Sequence, residues 1–234
     1  MRRRVLIVNA DDFGRSPGVN RGVIRAHEEG IVTSASLMVR WPAAKEAAEY
    51  ARRSDTLGVG LHLDLGEWEY RDDDWRARYL VVEEESAETA SAEIARQLEL
   101  FEGLVGRPPT HLDSHQHVHN SEPTRSAMLA AGERLGVPVR AHAPGISYCG
   151  VFYGQDGRGF PVPEAIEVDA LVGAIESLRS GVTELACHPA AEADHESTYD
   201  QERLTELETL CHERVQEAIE RCRIELRSFA DLEP

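Results

Sequence analysis

Apolar positions along this chain fall into two kinds of segment that take turns. Short continuous runs rich in Val, Ile and Leu have the character of strands buried on both faces. The stretches between them place apolar residues at helical spacing within polar surroundings. Val5-Leu6-Ile7-Val8 is the first run, and further strands are expected over residues 33–39, 57–63, 110–115, 137–141, 183–187 and 224–229. Helices are expected from Ser16 to Gly30 and over 42–53, 91–103, 124–135, 166–178 and 201–221. Ser16 suits an N-cap and Pro17 the first helical turn, while Gly106 followed by Pro108-Pro109 stops the third helix. About seven alternations of strand and helix predict parallel strands joined by crossover helices. The expected fold is α/β: a single (β/α) barrel-like domain spanning 1–234, with no composition break to divide it.

Two segments interrupt the rhythm. Residues 67–86 are acidic and aromatic, with Trp68, Tyr70, Trp75 and Tyr79. Residues 147–163 are Gly-rich and carry Phe152, Tyr153 and Phe160. Both follow expected strands, so both are expected as loops above the carboxyl ends of the sheet, where aromatic faces can stack on sugar rings.

The chemistry is concentrated at those carboxyl ends, the place where parallel α/β folds build their sites. Asp11-Asp12 closes the first strand, His62 the third and Cys187-His188 the sixth, and residues 111–119 read His-Leu-Asp-Ser-His-Gln-His-Val-His. By strand parity His111, Asp113, His115, His117 and His119 share one face and line the mouth of the barrel. A catalytic metal ion takes about three protein ligands, so some of these imidazoles must instead support the ligands or touch substrate. Neighbouring strand residues diverge, so Asp11 and Asp12 converge only if the backbone leaves the strand there. One carboxylate can then hold a metal while the other serves as base. Such a set points to a metal-assisted hydrolase.

Composition narrows the partners. A formal net charge of −17 over 234 residues leaves no basic patch for nucleic acid. The four cysteines, Cys149, Cys187, Cys211 and Cys222, form no CxxC pair, as expected of reduced thiols in a cytoplasm. Arg2, Arg3 and Arg4 precede an apolar run too short for a signal peptide, and no stretch approaches a transmembrane span, so a soluble cytoplasmic protein is expected. A homodimer is compatible with such a barrel, although no particular exposed patch marks one. Cys187 beside His188 makes a poor nucleophile–base pair because adjacent strand residues face apart, and no Gly-x-Ser-x-Gly elbow, P-loop or dinucleotide fingerprint occurs.

The blocks Asn9-Ala10-Asp11-Asp12-Phe13-Gly14, Gly60-Leu61-His62, residues 110–119 and Cys187-His188-Pro189 resemble, in order, the signature blocks of the YdjC-like carbohydrate deacetylases. That resemblance implies a barrel-like fold related to polysaccharide deacetylases, a divalent metal and removal of acetyl from N-acetylated sugars such as chitooligosaccharides. Carried over, the metal ligands fall on Asp12, His62 and His115, a set that suits one divalent ion, Zn²⁺ or Mg²⁺. The general base falls on Asp11 and the general acid on His188. Arg140 corresponds to an arginine that orients the base, and Asp113, His117 and His119 fall to substrate contact or support. The run from Leu63 to Tyr70 departs from the Gly-Lys-Pro-containing loop of many relatives, which leaves the sugar open. A metal-dependent phosphoesterase or an amidohydrolase would use similar ligands, although amidohydrolases commonly carry an early His-x-His. A non-catalytic carbohydrate-binding protein would keep the aromatic segments without needing Asp11 beside Asp12.

Overall fold

The computed structural model describes residues 3–83, 86–193 and 197–232; Arg2 and the last part of the 67–86 segment, at 84 and 85, lie outside the described residues. At its centre is β1 (Arg4–Phe13), buried along nearly its whole length. Its run of Val, Leu and Ile is flanked on one side by β2 (Ser34–Leu37) and on the other by β8 (Gly181–Cys187), both parallel to it. β3 (Gly58–Leu63) and β6 (Leu112–Ser114) extend the sheet beyond β2, and β7 (Ile146–Cys149) extends it beyond β8. The order is β6-β3-β2-β1-β8-β7, with β9 (Glu225–Leu226) paired to the amino-terminal part of β1. The result is an open, barrel-like parallel sheet that carries helices on its outside.

Local signals account for most helix ends. α1 (Pro17–Glu28) starts as expected, with the Ser16 hydroxyl accepting from the Val19 N–H and Pro17 in the first turn. α2 (Ala44–Arg53) lays Ala44, Ala47, Ala48 and Ala51 against the sheet, small residues that permit close approach. α3 (Ala87–Val105) opens with a Ser86–Thr89 capping box and stops at Gly106, whose φ of 78° is left-handed. α4 (Thr124–Leu135) and α5 (Val168–Ser177) follow the expected helices closely.

Four expectations need correction. Residues 137–141 form no strand: Pro138 has no N–H to give, and the segment makes one bridge, Val139 to Leu112, before Ala141 turns away at φ 61°. The missing strand is instead β7, which overlaps the start of the 147–163 segment expected as loop. The 67–86 segment contains an antiparallel hairpin, β4 (Gly66–Arg71) and β5 (Asp74–Leu80), joined by Asp72-Asp73 with φ of 53° and 61°. Residues 201–221 are two helices, α6 (Gln201–Leu210) and α7 (Glu213–Cys222), because the His212 ring caps the second by accepting from the Arg214 N–H. Among the described residues, no helix is long and apolar enough to cross a membrane.

Packing of α1 against the segment that follows β8 depends on Gly22, where a Cβ would sit 2.3 Å from the Cα of Ala190. Gly22→Ala is therefore expected to cost about 1–3 kcal/mol through overpacking. Gly103, in α3 with nothing near its missing Cβ, gives the opposite sign: Gly103→Ala gains about 0.5–1 kcal/mol. Thermal or urea unfolding of the two variants checks both signs.

Candidate active site

β1 delivers two carboxylates to one place because it is irregular. The pairing of β1 with β2 shifts between Ala10 and Phe13, and Asp12 sits at φ 63°. The backbone thus stays in the strand but bulges, so that Asp11 and Asp12 do not simply point to opposite faces. On β3 and β6, His62 and Asp113 are direct partners in register, and His62 Nδ1 lies 2.8 Å from Asp113 Oδ1. With Nδ1–H donated there, His62 Nε2 turns to Asp12 Oδ1 at 3.3 Å. His115 Nδ1 lies 3.1 Å from the same oxygen. Ligand atoms of Asp12, His62 and His115 all fall within 4.8 Å of one another, and all three residues are well shielded from solvent.

That donor set, two imidazoles and a carboxylate, suits a borderline divalent ion, and the engaged far nitrogen of His62 is the arrangement found behind metal-bound histidines. A second group, Asp11, His62 and Asp113, is equally compact. It is already occupied by a protein cation, however. Arg140 donates from Nη1 and Nη2 to the two oxygens of Asp11 at 2.6 Å each, lies 2.8 Å from Asp113 Oδ2, and gives Nε–H to Glu184 at 2.6 Å. Asn9 ties the same acids together from below, donating to Asp11, Ser36 and Asp113.

The charges follow from these contacts. Burial alone would raise Asp11, but Arg140 outweighs it and holds the carboxyl below its usual range. Asp12 is likewise held well below that range, since Arg203 Nη2 at 2.5 Å and His115 overcome burial. Burial works against a charged His62, yet Asp113 with Asp12 and Asp11 lifts it to about 10. Glu184 goes the other way, as burial exceeds the help from Arg140 and pushes it up to about 7.

His188 follows β8 and sits with Nε2 3.7 Å from Asp11 Oδ2 and Nδ1 3.8 Å from Glu206 Oε1. A cavity of about 530 Å³ opens over Asp11, Asp12, His62, His115 and His188, walled by the hairpin on one side and by residues around 148–159 on the other. Trp68, Tyr70 and Trp75 come from the first wall, Tyr148 and Tyr153 from the second.

Strand parity fails for the histidine run. Only Leu112–Ser114 is strand; the chain then winds into a 3₁₀ turn with Gln116 and His117 left-handed, at φ 48° and 55°. His111 points beneath the site, bonded to Ser36 and stacked on Phe229 at 4.0 Å, and burial pushes it down to about 4. His117 reaches the cavity wall with Nε2 3.2 Å from the Tyr148 hydroxyl. His119 does not line the cavity; it is fully buried with Nδ1 2.6 Å from the Ser114 hydroxyl. Sequence reasoning missed Arg203, Glu206 and Glu67. The first two had a visible signal, because charged residues at 203 and 206 share the buried stripe of α6 with Leu207 and Leu210. Glu67 had none.

The family model described as "YdjC-like protein" matches residues 5–221. The chain belongs to that family. A Serratia marcescens protein named chitooligosaccharide deacetylase is 32% identical over 98% of this chain and 99% of its own length. An Enterococcus faecalis crystal structure, of a protein named for cellobiose-phosphate cleavage, superposes with a TM-score of 0.82 at 27% identity, covering 99% of this chain and all of that one. A family 4 carbohydrate esterase from Streptomyces lividans, solved with acetate, shares the fold at 14% identity, with a TM-score of 0.55 over 97% of this chain and 93% of its own.

Removing the guanidinium at 140 would leave buried acids without a counter-charge. Arg140→Met is expected to cost about 3–5 kcal/mol at pH 8. In the native protein, depressed Asp11 and Asp113 contribute stability that is present above the ordinary carboxyl value of 3.8 and lost as pH falls through their lower folded values. In the variant those carboxyls rise instead, so its deficit should shrink between pH 8 and pH 5. Urea unfolding across that range reads the difference, and a deficit that does not change with pH would refute this account.

Proposed function

We propose that this protein is a metal-dependent carbohydrate deacetylase, removing acetyl from N-acetylated sugars of the chitooligosaccharide type. The observation that carries the reading is the meeting of Asp12, His62 and His115 beside Asp11 and His188 on the floor of one aromatic-walled cavity. Names of relatives that match nearly the full chain support the carbohydrate deacetylase class.

Asp12, His62 and His115 would hold one divalent cation. When bound, it supplies Lewis acidity toward a water and the amide carbonyl. Zn²⁺ suits the two imidazoles, and Mg²⁺ is compatible if waters complete its shell. Asp11 takes the proton of the attacking water. Its fixed, ionised carboxylate is clamped by the Arg140 fork, so it is held ready without being free to turn toward the cation. His188, across from Asp11, gives a proton from Nε2 to the leaving amine nitrogen, without which C–N cleavage at neutral pH is slow. Its backbone N–H is held by Glu206, and its ring meets Tyr153 at 5.3 Å between centroids, which fixes the imidazole against the cavity wall. The Trp68, Tyr70 and Trp75 faces supply stacking surface for sugar rings.

Acetate release from N-acetylated mono-, di- and trisaccharides, by chelated and metal-reconstituted protein side by side, tests the activity. Activity should vanish on chelation and return with the ion. Within that assay Asp11→Asn is expected to keep the bound metal while losing about 10²–10⁴-fold in turnover. His115→Ala is expected to lose both metal and turnover. A His115→Ala protein that is inactive but metal-replete would contradict the ligand assignment. Metal affinity should also weaken as pH falls, because His62 binds the ion only after giving up the proton that its neighbouring acids favour.

A further inference from the structure

Glu67 lies outside all the motifs that point to the site, on a hairpin whose expected role was contact with sugar. It is nevertheless 1% exposed. The turn out of β3 forces it inward. Asp64 accepts from the Gly66 N–H, the Tyr79 hydroxyl and the Trp41 indole N–H at 3.1 Å each, stapling both strands of the hairpin down. Gly66 itself, at φ 151°, passes so close to the Tyr79 carbonyl that a Cβ would lie 2.8 Å from it. One residue further on, the Glu67 carboxylate meets three side chains. Arg15 Nη1 is 2.8 Å from Oε2, Arg78 Nε is 3.5 Å from Oε1, and His115 Nε2 is 3.4 Å from Oε2. The last is an approach rather than a finished hydrogen bond, and His115 Nε2 has no hydrogen-bond partner among the described residues.

The two imidazoles of the proposed metal site therefore have the same backing. Behind His62 stands Asp113, neutralised by Arg140; behind His115 stands Glu67, neutralised by Arg15. A neutral imidazole carries one N–H, and the partner of that N–H decides which nitrogen is left with a lone pair. We propose that Glu67 is a positioning residue for His115, accepting from Nε2–H and so leaving the Nδ1 lone pair facing Asp12 and His62. Arg15, its guanidinium 4.4 Å above the Trp41 ring, keeps Glu67 from being an uncompensated buried charge. The wall that presents Trp68, Tyr70 and Trp75 to the substrate thus shares a residue with the cation site. Gln116 adds a second tie, donating to the Trp68 carbonyl and accepting from its N–H at 2.8 Å each.

This inference rests on the proposed metal site, and metal affinity separates the two. Zn²⁺ dissociation constants would be measured by competition with a chromophoric chelator for wild type, Glu67→Ala and Glu67→Gln, together with unfolding midpoints of the chelated proteins. Glu67→Ala is expected to weaken Zn²⁺ binding about 10–100-fold. Glu67→Gln keeps an acceptor and the side-chain volume, should fall between Ala and wild type, and carries the test by itself if the chelated Ala variant proves unfolded. A purely structural ion pair with Arg15 would instead lower the chelated midpoint and leave the affinity alone. If wild type binds Zn²⁺ and the folded variants bind it equally well, the role of Glu67 is overturned while the proposed function stands. If wild type takes up no Zn²⁺, Mg²⁺ or other divalent ion, both fall.

Discussion

One buried guanidinium holds the acids of the candidate site together. Arg140 reaches across the carboxyl end of the sheet to Asp11 on β1, Asp113 on β6 and Glu184 on β8, three acids that could not share a dry space without it. A lysine would offer a point charge where the geometry needs a planar fork with several donors. One positive charge does not balance three negative ones, and the protein resolves the excess unevenly. Asp11 and Asp113 are held as carboxylates, while burial lets Glu184 keep its proton up to about pH 7. The acid proposed as the base is thus ionised and clamped by the Arg140 fork.

The same device recurs around the cavity. Asp12 is paired with Arg203 on one oxygen and turned toward His62 and His115 with the other. Glu67 is paired with Arg15, and Glu206 accepts from the Tyr199 hydroxyl and the His188 backbone. Each acid is tied by a second group, so the side chains facing the cavity have little freedom to reorganise during a reaction. Backbone strain is concentrated here too. Asp12, Gln116 and His117 occupy the left-handed region without being glycine, and the paired hydrogen bonds between Gln116 and Trp68 help hold that geometry.

Much of this was legible in the residues. Unbroken Val, Ile and Leu runs could only be strands covered on both sides, so the alternating parallel architecture followed, and Ser16-Pro17 and Gly106 marked helix ends by backbone chemistry alone. The motifs ending in Asp11-Asp12, His62, His115 and His188 stood where parallel strands end, and those side chains do meet. Where sequence reasoning failed, a tertiary contact had overruled a local pattern. Residues 137–141 read as a strand, but Pro138 limits them to one bridge and the segment serves mainly to bring Arg140 to the acids. The histidines at 115, 117 and 119 alternate as strand residues would, yet the chain turns at His115 and sends each ring to a different neighbour.

Periodicity, caps and ionisable residues at strand ends were enough to determine the fold class and the end of the sheet where the candidate site lies, and the family resemblance of four short blocks singled out its residues, because those features are written in short stretches of chain. What only the tertiary structure decided was pairing: which arginine neutralises which acid, which carboxylate stands behind which imidazole, and that Glu67 faces inward. A buried charge finds its partner through the close approach of segments distant in sequence, here residue 67 with 15 and 115, and 140 with 11, 113 and 184. No local pattern encodes that distance.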